Sequence, residues 1–181
     1  MDEIVYAALR KWPDVPACRG WLGLDARGDW YLRDEAALAA GAFPAVKGSR
    51  IEHEQLLGFI GRNYAATEAG CWYFQNGPQR VYVELEAAPW VWRVRHEDGG
   101  AAPRVVSHTG CAALVQSAWT DERGRFFLAT DIGLGLVHTL DMDDAATAVE
   151  AGVWQPQPLD LAALAARFGV VLSPQAADAC T

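Results

Sequence analysis

The sequence predicts an α+β fold: an antiparallel sheet of successive hairpins with helices packed on one face. Three observations predict it. In CWYFQNGPQRVYVELE, residues 71–86, an Asn-Gly pair divides two runs of aromatic and β-branched residues, the strongest short-range hairpin signal. Similar runs flank polar turns at Asp25–Gly28 and Asp121–Gly124. Helical spacing of apolar residues is confined to stretches near the N-terminus, over 50–64, and towards the C-terminus.

Taken in order, residues 2–11 place Ile4, Val5, Ala8 and Leu9 along one helical face, and Pro13 and Pro16 stop that helix. A first hairpin follows in WLGLDARGDWYLRDE, then an Ala-rich helix near 34–41. Ser49 and Glu52 match the S-x-x-E box that satisfies free N–H groups, so a helix is expected through Ile51, Leu56, Leu57, Phe59 and Ile60 to about Tyr64. In the second hairpin Val81, Val83 and Leu85 alternate with Tyr82, Glu84 and Glu86, which points the second set towards solvent. PWVWRV continues with Trp90, Trp92 and Val94 on one face and Val91, Arg93 and Arg95 on the other. HEDGGAAP, residues 96–103, reads as a loop before a strand at Arg104–Ser107. The third hairpin turns at Asp121–Gly124, a strand spans 134–140, and helices span about 144–151 and 160–168. Asp160 caps the last helix and Gly169 ends it.

The three hairpins, around 18–34, 71–86 and 111–131, share a Trp (Trp21, Trp72, Trp119), a Gly-bearing turn and an aromatic strand. Turn chemistry alone or an internal repeat accounts for that pattern. With 181 residues, the chain is expected to form a single domain, 1–181, large enough to bury about 70% of its unfolded surface. It needs neither metal nor disulfide for a core.

Its net charge is −8, with nine basic against twelve acidic residues over 1–90 and six against eleven over 91–181. Neither half offers the Lys and Arg clusters that phosphate backbones require, so nucleic acid and anionic membrane are not expected partners. No segment approaches eighteen uninterrupted apolar residues, and MDEIVYAALRKW lacks the positive start of a signal peptide, so a cytoplasmic location is expected. Cys18, Cys71, Cys111 and Cys180 lie far apart, and in a reducing compartment they are expected to be free, buried thiols.

The runs GFIGRNY, WYFQNGPQRVYVELEAAPWVWRV, SHTG and DIGLGLVHTLDM resemble those of a family of uncharacterised bacterial proteins, a domain of unknown function, over nearly the full length. The resemblance brings no activity and no catalytic residues with it.

Several residues have the chemistry of a site. Arg62 and Asn63, at the end of the capped helix, combine a donor fork with an amide and suit a carboxylate or phosphate, although Arg and Asn also end helices well. Trp90 and Trp92 either fill the core or line an aromatic groove. His108 and His138, with Asp131 and Asp141 nearby in sequence, would serve a hydrolase as base and orienting carboxylate. His138 on an apolar face also reads as a core residue. Glu52, His53 and Glu54 are adjacent and cannot converge on a helix, and Asp141–Asp144 lacks calcium-loop spacing, so no metal and no cofactor is expected. The favoured reading is a non-catalytic binding or assembly module, using a groove or sheet edge near Arg62, Asn63, Trp90 and Trp92 to hold a small molecule, a peptide or a second copy. The other reading is the His/Asp hydrolase.

Overall fold

A computed structural model of the chain describes residues 1–96, 102–176 and 180. Residues 97–101 of the expected 96–103 loop lie outside the described residues. The chain divides into two compact units, Met1–Asp25 with Asp29–Glu86 and Gly169–Thr181, and Ala26–Gly28 with Ala87–Phe168.

The first unit contains α1 (Glu3–Lys11), β1 (Cys18–Leu24), β2 (Trp30–Leu32), α2 (Glu35–Ala40), β3 (Ser49–Arg50), α3 (Glu54–Arg62), β4 (Tyr64–Ala66), β5 (Trp72–Asn76) and β6 (Gln79–Leu85). Its six strands run in the order β3-β2-β1-β6-β5-β4. The second contains β7 (Trp90–Arg95), β8 (Arg104–Ser107), β9 (Ala112–Ala113), β10 (Val115–Thr120), β11 (Phe126–Thr130), β12 (Gly133–Val137), a 3-10 turn (Thr139–Asp141), α4 (Met142–Glu150), β13 (Gln157–Pro158) and α5 (Leu161–Arg167), with strand order β13-β10-β11-β12-β7-β8-β9.

The three expected hairpins are present, as β1–β2, β5–β6 and β10–β11, each antiparallel. The sheets themselves are mixed, which corrects the purely antiparallel expectation: β1 lies parallel to β6, β12 to β7 and β10 to β13. Turn residues specify pairing within a hairpin. The seams between hairpins join strands distant in sequence, where burial decides the neighbour and no local signal exists.

The second hairpin turns one residue later than Asn76-Gly77 suggests. Asn76 pairs with Gln79 as the last residue of β5, so the two turn residues are Gly77 and Pro78. Gly77 takes φ +57 at the first turn position, where a glycine-led turn needs it, and the fixed φ of proline suits the second. The first and third hairpins share a different, longer turn. Asp25 Oδ1 accepts the Asp29 N–H at 3.0 Å, and Asp121 Oδ1 accepts the Arg125 N–H at 2.8 Å, with both aspartates buried. Their likeness lies in the turn, because Trp21 stands four residues before its aspartate and Trp119 only two.

The expected Ser49–Glu52 cap is not the start of α3. Ser49 pairs with Leu32 in β3, and the cap is His53, whose Nδ1 accepts the Leu56 N–H at 3.4 Å. Tyr64, expected near the end of that helix, begins β4 instead, and β12 stops at Val137, short of 140. A different device shapes the loop after α2. The buried Arg33 donates to the carbonyls of Val46 (3.1 Å), Gly20 (3.1 Å), Ala37 (3.4 Å) and Gly41, tying residues 41–46 to β1 and α2.

Period two on β5 sends Trp72 and Phe74 to one sheet face, where Phe74 meets Phe59 of α3 edge to face at 5.4 Å. Cys71, Tyr73 and Gln75 take the other. On β6, Tyr82 and Glu84 belong to that second face and are buried, not solvent-facing as the alternation suggests. The cause is the return of residues 169–176: Val171 bridges Cys71, Ser173 Oγ and the Gln175 N–H donate to the Glu84 carboxylate, and Leu172 O accepts the Leu85 N–H. A disulfide joins Cys71 to Cys180, so two of the four cysteines are not free thiols; Cys18 and Cys111 are. The pairing spans 109 residues, too far for spacing to suggest it.

In the second unit β7 runs between β12 and β8. Trp92 is fully buried and donates from Nε1 to Leu128 O at 3.0 Å, and Trp90, 7% exposed, donates to Ile132 O at 2.8 Å. The two indoles stack at 6.1 Å and 24°. Gly135 makes room for them: a Cβ there would stand 2.3 Å from Trp92 Nε1.

Candidate functional site

The covered face of β5 and β6 opens at one end into a cleft of about 450 Å³, lined by Thr67, Glu68, Tyr73, Arg80, Tyr82 and Cys180 together with Ala66 and Ala69. The sheet register builds its floor. Tyr73 pairs with Tyr82 across the strands, their rings meeting edge to face at 6.1 Å, and Cys71 and Cys180 close the cluster beneath. Two guanidiniums cap the rings: Arg80 lies 4.8 Å from the Tyr73 centroid and Arg19 lies 5.0 Å from that of Tyr82. Both distances lie within cation–π range, and each pairing keeps a positive charge over an electron-rich face. Arg19 also donates to Cys180 O, which fixes it against the returning segment. Thr67 Oγ1 accepts the Cys71 N–H at 3.2 Å, and Gly70 N–H donates to Thr67 O at 3.0 Å, so the 67–71 turn forms a rigid rim. Arg80 and Glu68 are exposed and put opposite charges on that rim.

The sequence-predicted residues lie elsewhere. Arg62 and Asn63 do hold a carboxylate, but it belongs to the chain itself. Arg62 Nε donates to both oxygens of Asp2 at 3.2 Å, and the buried Asn63 accepts the Asp2 N–H at 2.8 Å and donates to Asp2 Oδ2 at 3.3 Å. Trp90 and Trp92 belong to the second unit, buried as described, while Arg62 and Asn63 belong to the first.

The histidines act as backbone acceptors. His108 Nδ1 accepts the Val91 N–H at 3.2 Å and His138 Nδ1 accepts the Leu140 N–H at 3.1 Å, which places the proton of each neutral ring on Nε2. Burial pushes the pKa of His108 down to about 4. A ring whose basic lone pair is already committed to a backbone N–H is poorly placed to take a substrate proton.

Asp141 is likewise engaged. Its inaccessible carboxylate accepts from Arg93 Nε at 2.6 Å, Arg93 Nη2 at 3.1 Å, the Val94 N–H at 3.0 Å and Arg95. Burial alone would raise its pKa, but those donors outweigh burial and hold it at about 2. Asp131 accepts the Leu114 N–H at 2.8 Å in the turn between β11 and β12. Among the described residues, no group of three His, Cys, Asp or Glu side chains is arranged to hold a metal ion. No helix among them is long and apolar enough to cross a membrane.

A family model described as "Protein of unknown function (DUF2946)" matches residues 1–175. The chain belongs to this family. No curated protein matches it. Two solved structures of DUF1285 family proteins are similar. One, from Shewanella baltica OS155, is 13% identical, with 71% of this chain and 91% of that chain covered and a TM-score of 0.45. The other, from Silicibacter pomeroyi DSS-3, is 12% identical, with coverage of 80% and 83% and a TM-score of 0.49.

In this chain the cleft residues carry little local signal. Alternation points Tyr82 towards solvent, and Tyr73 lies within the aromatic run of the second hairpin with nothing local to single it out. Arg80, two residues from Tyr82 on the same face, was the one local hint, since a guanidinium beside two tyrosines has a use for their rings.

Proposed function

We propose that this protein is a non-catalytic binding module whose ligand site is the cleft beside Tyr73 and Tyr82. One observation carries the reading: a paired-tyrosine floor under two guanidiniums, with Arg80 and Glu68 setting opposite charges on the rim of an opening of about 450 Å³. That volume suits a small molecule or a short peptide segment, since ligand pockets span about 300–1,000 Å³. Opposite rim charges favour a zwitterion, whose carboxylate would meet Arg80 and whose amine would meet Glu68, with an apolar body against the rings. The net charge of −8 argues against nucleic acid and anionic membrane as alternatives.

The reading includes a cytoplasmic location, which requires reduced Cys71 and Cys180 in the cell, because structural disulfides are rare in that compartment. A persistent Cys71–Cys180 bond in protein trapped directly from cells would assign it to an oxidising compartment instead.

Thermal-shift and calorimetric titration against free amino acids and dipeptides tests the site. A ligand that raises the melting temperature of the wild type, and does so at least tenfold more weakly with Arg80→Ala or Glu68→Ala, supports the proposal. No shift across the panel, or a shift that both variants keep, refutes it. Both side chains are exposed, so the variants are expected to fold.

A further inference from the structure

Helix α1 turns only Val5 fully inward. At 100° per residue, Glu3, Tyr6, Ala7 and Arg10 fall on the opposite side as one stripe, flanked by Ile4. These five residues line one shallow depression and all are exposed, Ile4 by 74% and Tyr6 by 51%. Among the described residues neither Glu3 nor Arg10 makes an ion pair. An exposed apolar stripe bounded by charges is the usual mark of an interaction surface.

We propose that this stripe is a two-fold interface with a second copy of the same chain. The charge order selects that partner. Glu3 stands at one end of the stripe and Arg10 at the other, seven residues apart, which is about 10.5 Å along a helix. When two such helices lie antiparallel about an axis beside Ala7, Glu3 of each copy faces Arg10 of the other, so both pairs form at once. Ala7 is small enough for close approach, and Tyr6 and Ile4 cover the centre. An isologous interface requires such self-complementarity, and a heterologous partner would not. The patch is small, so the dimer is a weak one.

Charge exchange tests it. Sedimentation of the full chain at physiological salt up to about 1 mM should show a monomer–dimer equilibrium. Glu3→Arg alone and Arg10→Glu alone each set like charges opposite one another, and each should weaken dimerisation at least tenfold. The double variant carrying both changes restores opposite charges and should recover wild-type association. Each single change also opposes the helix dipole, and the double variant keeps both of those penalties, so recovery cannot come from repair of the helix. An equimolar mixture of the two single variants should recover association as a heterodimer, because both pairs across the axis then carry opposite charges. A monomer at all concentrations, or single variants that dimerise like the wild type, overturns the proposal. Arg80→Ala should leave dimerisation unchanged, which separates this interface from the cleft.

Discussion

Reducing the Cys71–Cys180 bond should lower stability by several kcal/mol, and the size follows from chain length. A cross-link removes conformations from the unfolded chain, and for a closed loop of 109 residues the chain-entropy relation gives about 4.8 kcal/mol at 25 °C. Native disulfides deliver about 2–5 kcal/mol in practice, so that value is a ceiling. Both cysteines are buried beside Tyr73 and Tyr82. The assay is urea unfolding of oxidised wild type, reduced wild type and Cys180→Ala, preceded by thiol titration in denaturant. Oxidised protein should titrate two thiols, Cys18 and Cys111. Reduced wild type and Cys180→Ala should share a lowered midpoint, and reductant should not move the variant further. Four titrating thiols in folded protein exposed to an oxidant, or midpoints that agree within about 1 kcal/mol with and without reductant, would refute the reasoning.

Three other outcomes are expected. His108 binds its proton only near pH 4 when folded and near 6.5 when unfolded, so the unfolded chain is the better proton acceptor between those values. Stability should therefore fall by about 3 kcal/mol as pH drops from 6.5 to 4, and His108→Gln, whose amide oxygen can accept the Val91 N–H, should flatten that part of the unfolding profile. Asp141, held at about 2, works in a lower window: its contribution is complete above pH 4 and vanishes towards pH 2, so Asp141→Asn should destabilise at pH 7 by about 3 kcal/mol or more, and the gap should narrow in acid. Trp92→Ala should cost about 3–5 kcal/mol in urea unfolding, because it empties a fully buried site and orphans Leu128 O; a loss under 1 kcal/mol would show that the indole is not core.

Much of the fold was legible because its signals are local. Aspartate and glycine spacing identified the two four-residue turns, and Asp160 caps α5 through the Ala163 N–H as its position suggests. Where two local signals competed, the stronger tertiary one won. Ser49 had a capping sequence, but pairing of Leu32 with Ser49 and of Tyr31 with Arg50 kept it extended, and His53 took the cap. The parallel seams and β13 left no trace, since two-residue pairings such as Trp119–Gln157 and Thr120–Pro158 have no periodicity to read. The candidate site was less legible still. Its chemistry depends on Arg19, Tyr73, Tyr82 and Cys180, which come from three separated stretches of chain. Arg62 and Asn63 have the chemistry to hold a carboxylate, but nothing in their own neighbourhood names Asp2 as the one they meet.

The segment that roofs Glu84 and Tyr82 has a temporal consequence. Gly169 leaves the ribosome 83 residues after Glu86, which at about 5–20 residues per second is a wait of about 4 to 17 s. During that interval the glutamate in β6 lacks the Ser173 and Gln175 donors, and Cys71 lacks its partner Cys180, while residues 87–168 emerge as one continuous stretch. The earlier-made unit is thus the later one to finish, and a released chain truncated before residue 169 would hold every segment of the second unit while β6 of the first stays open to protease.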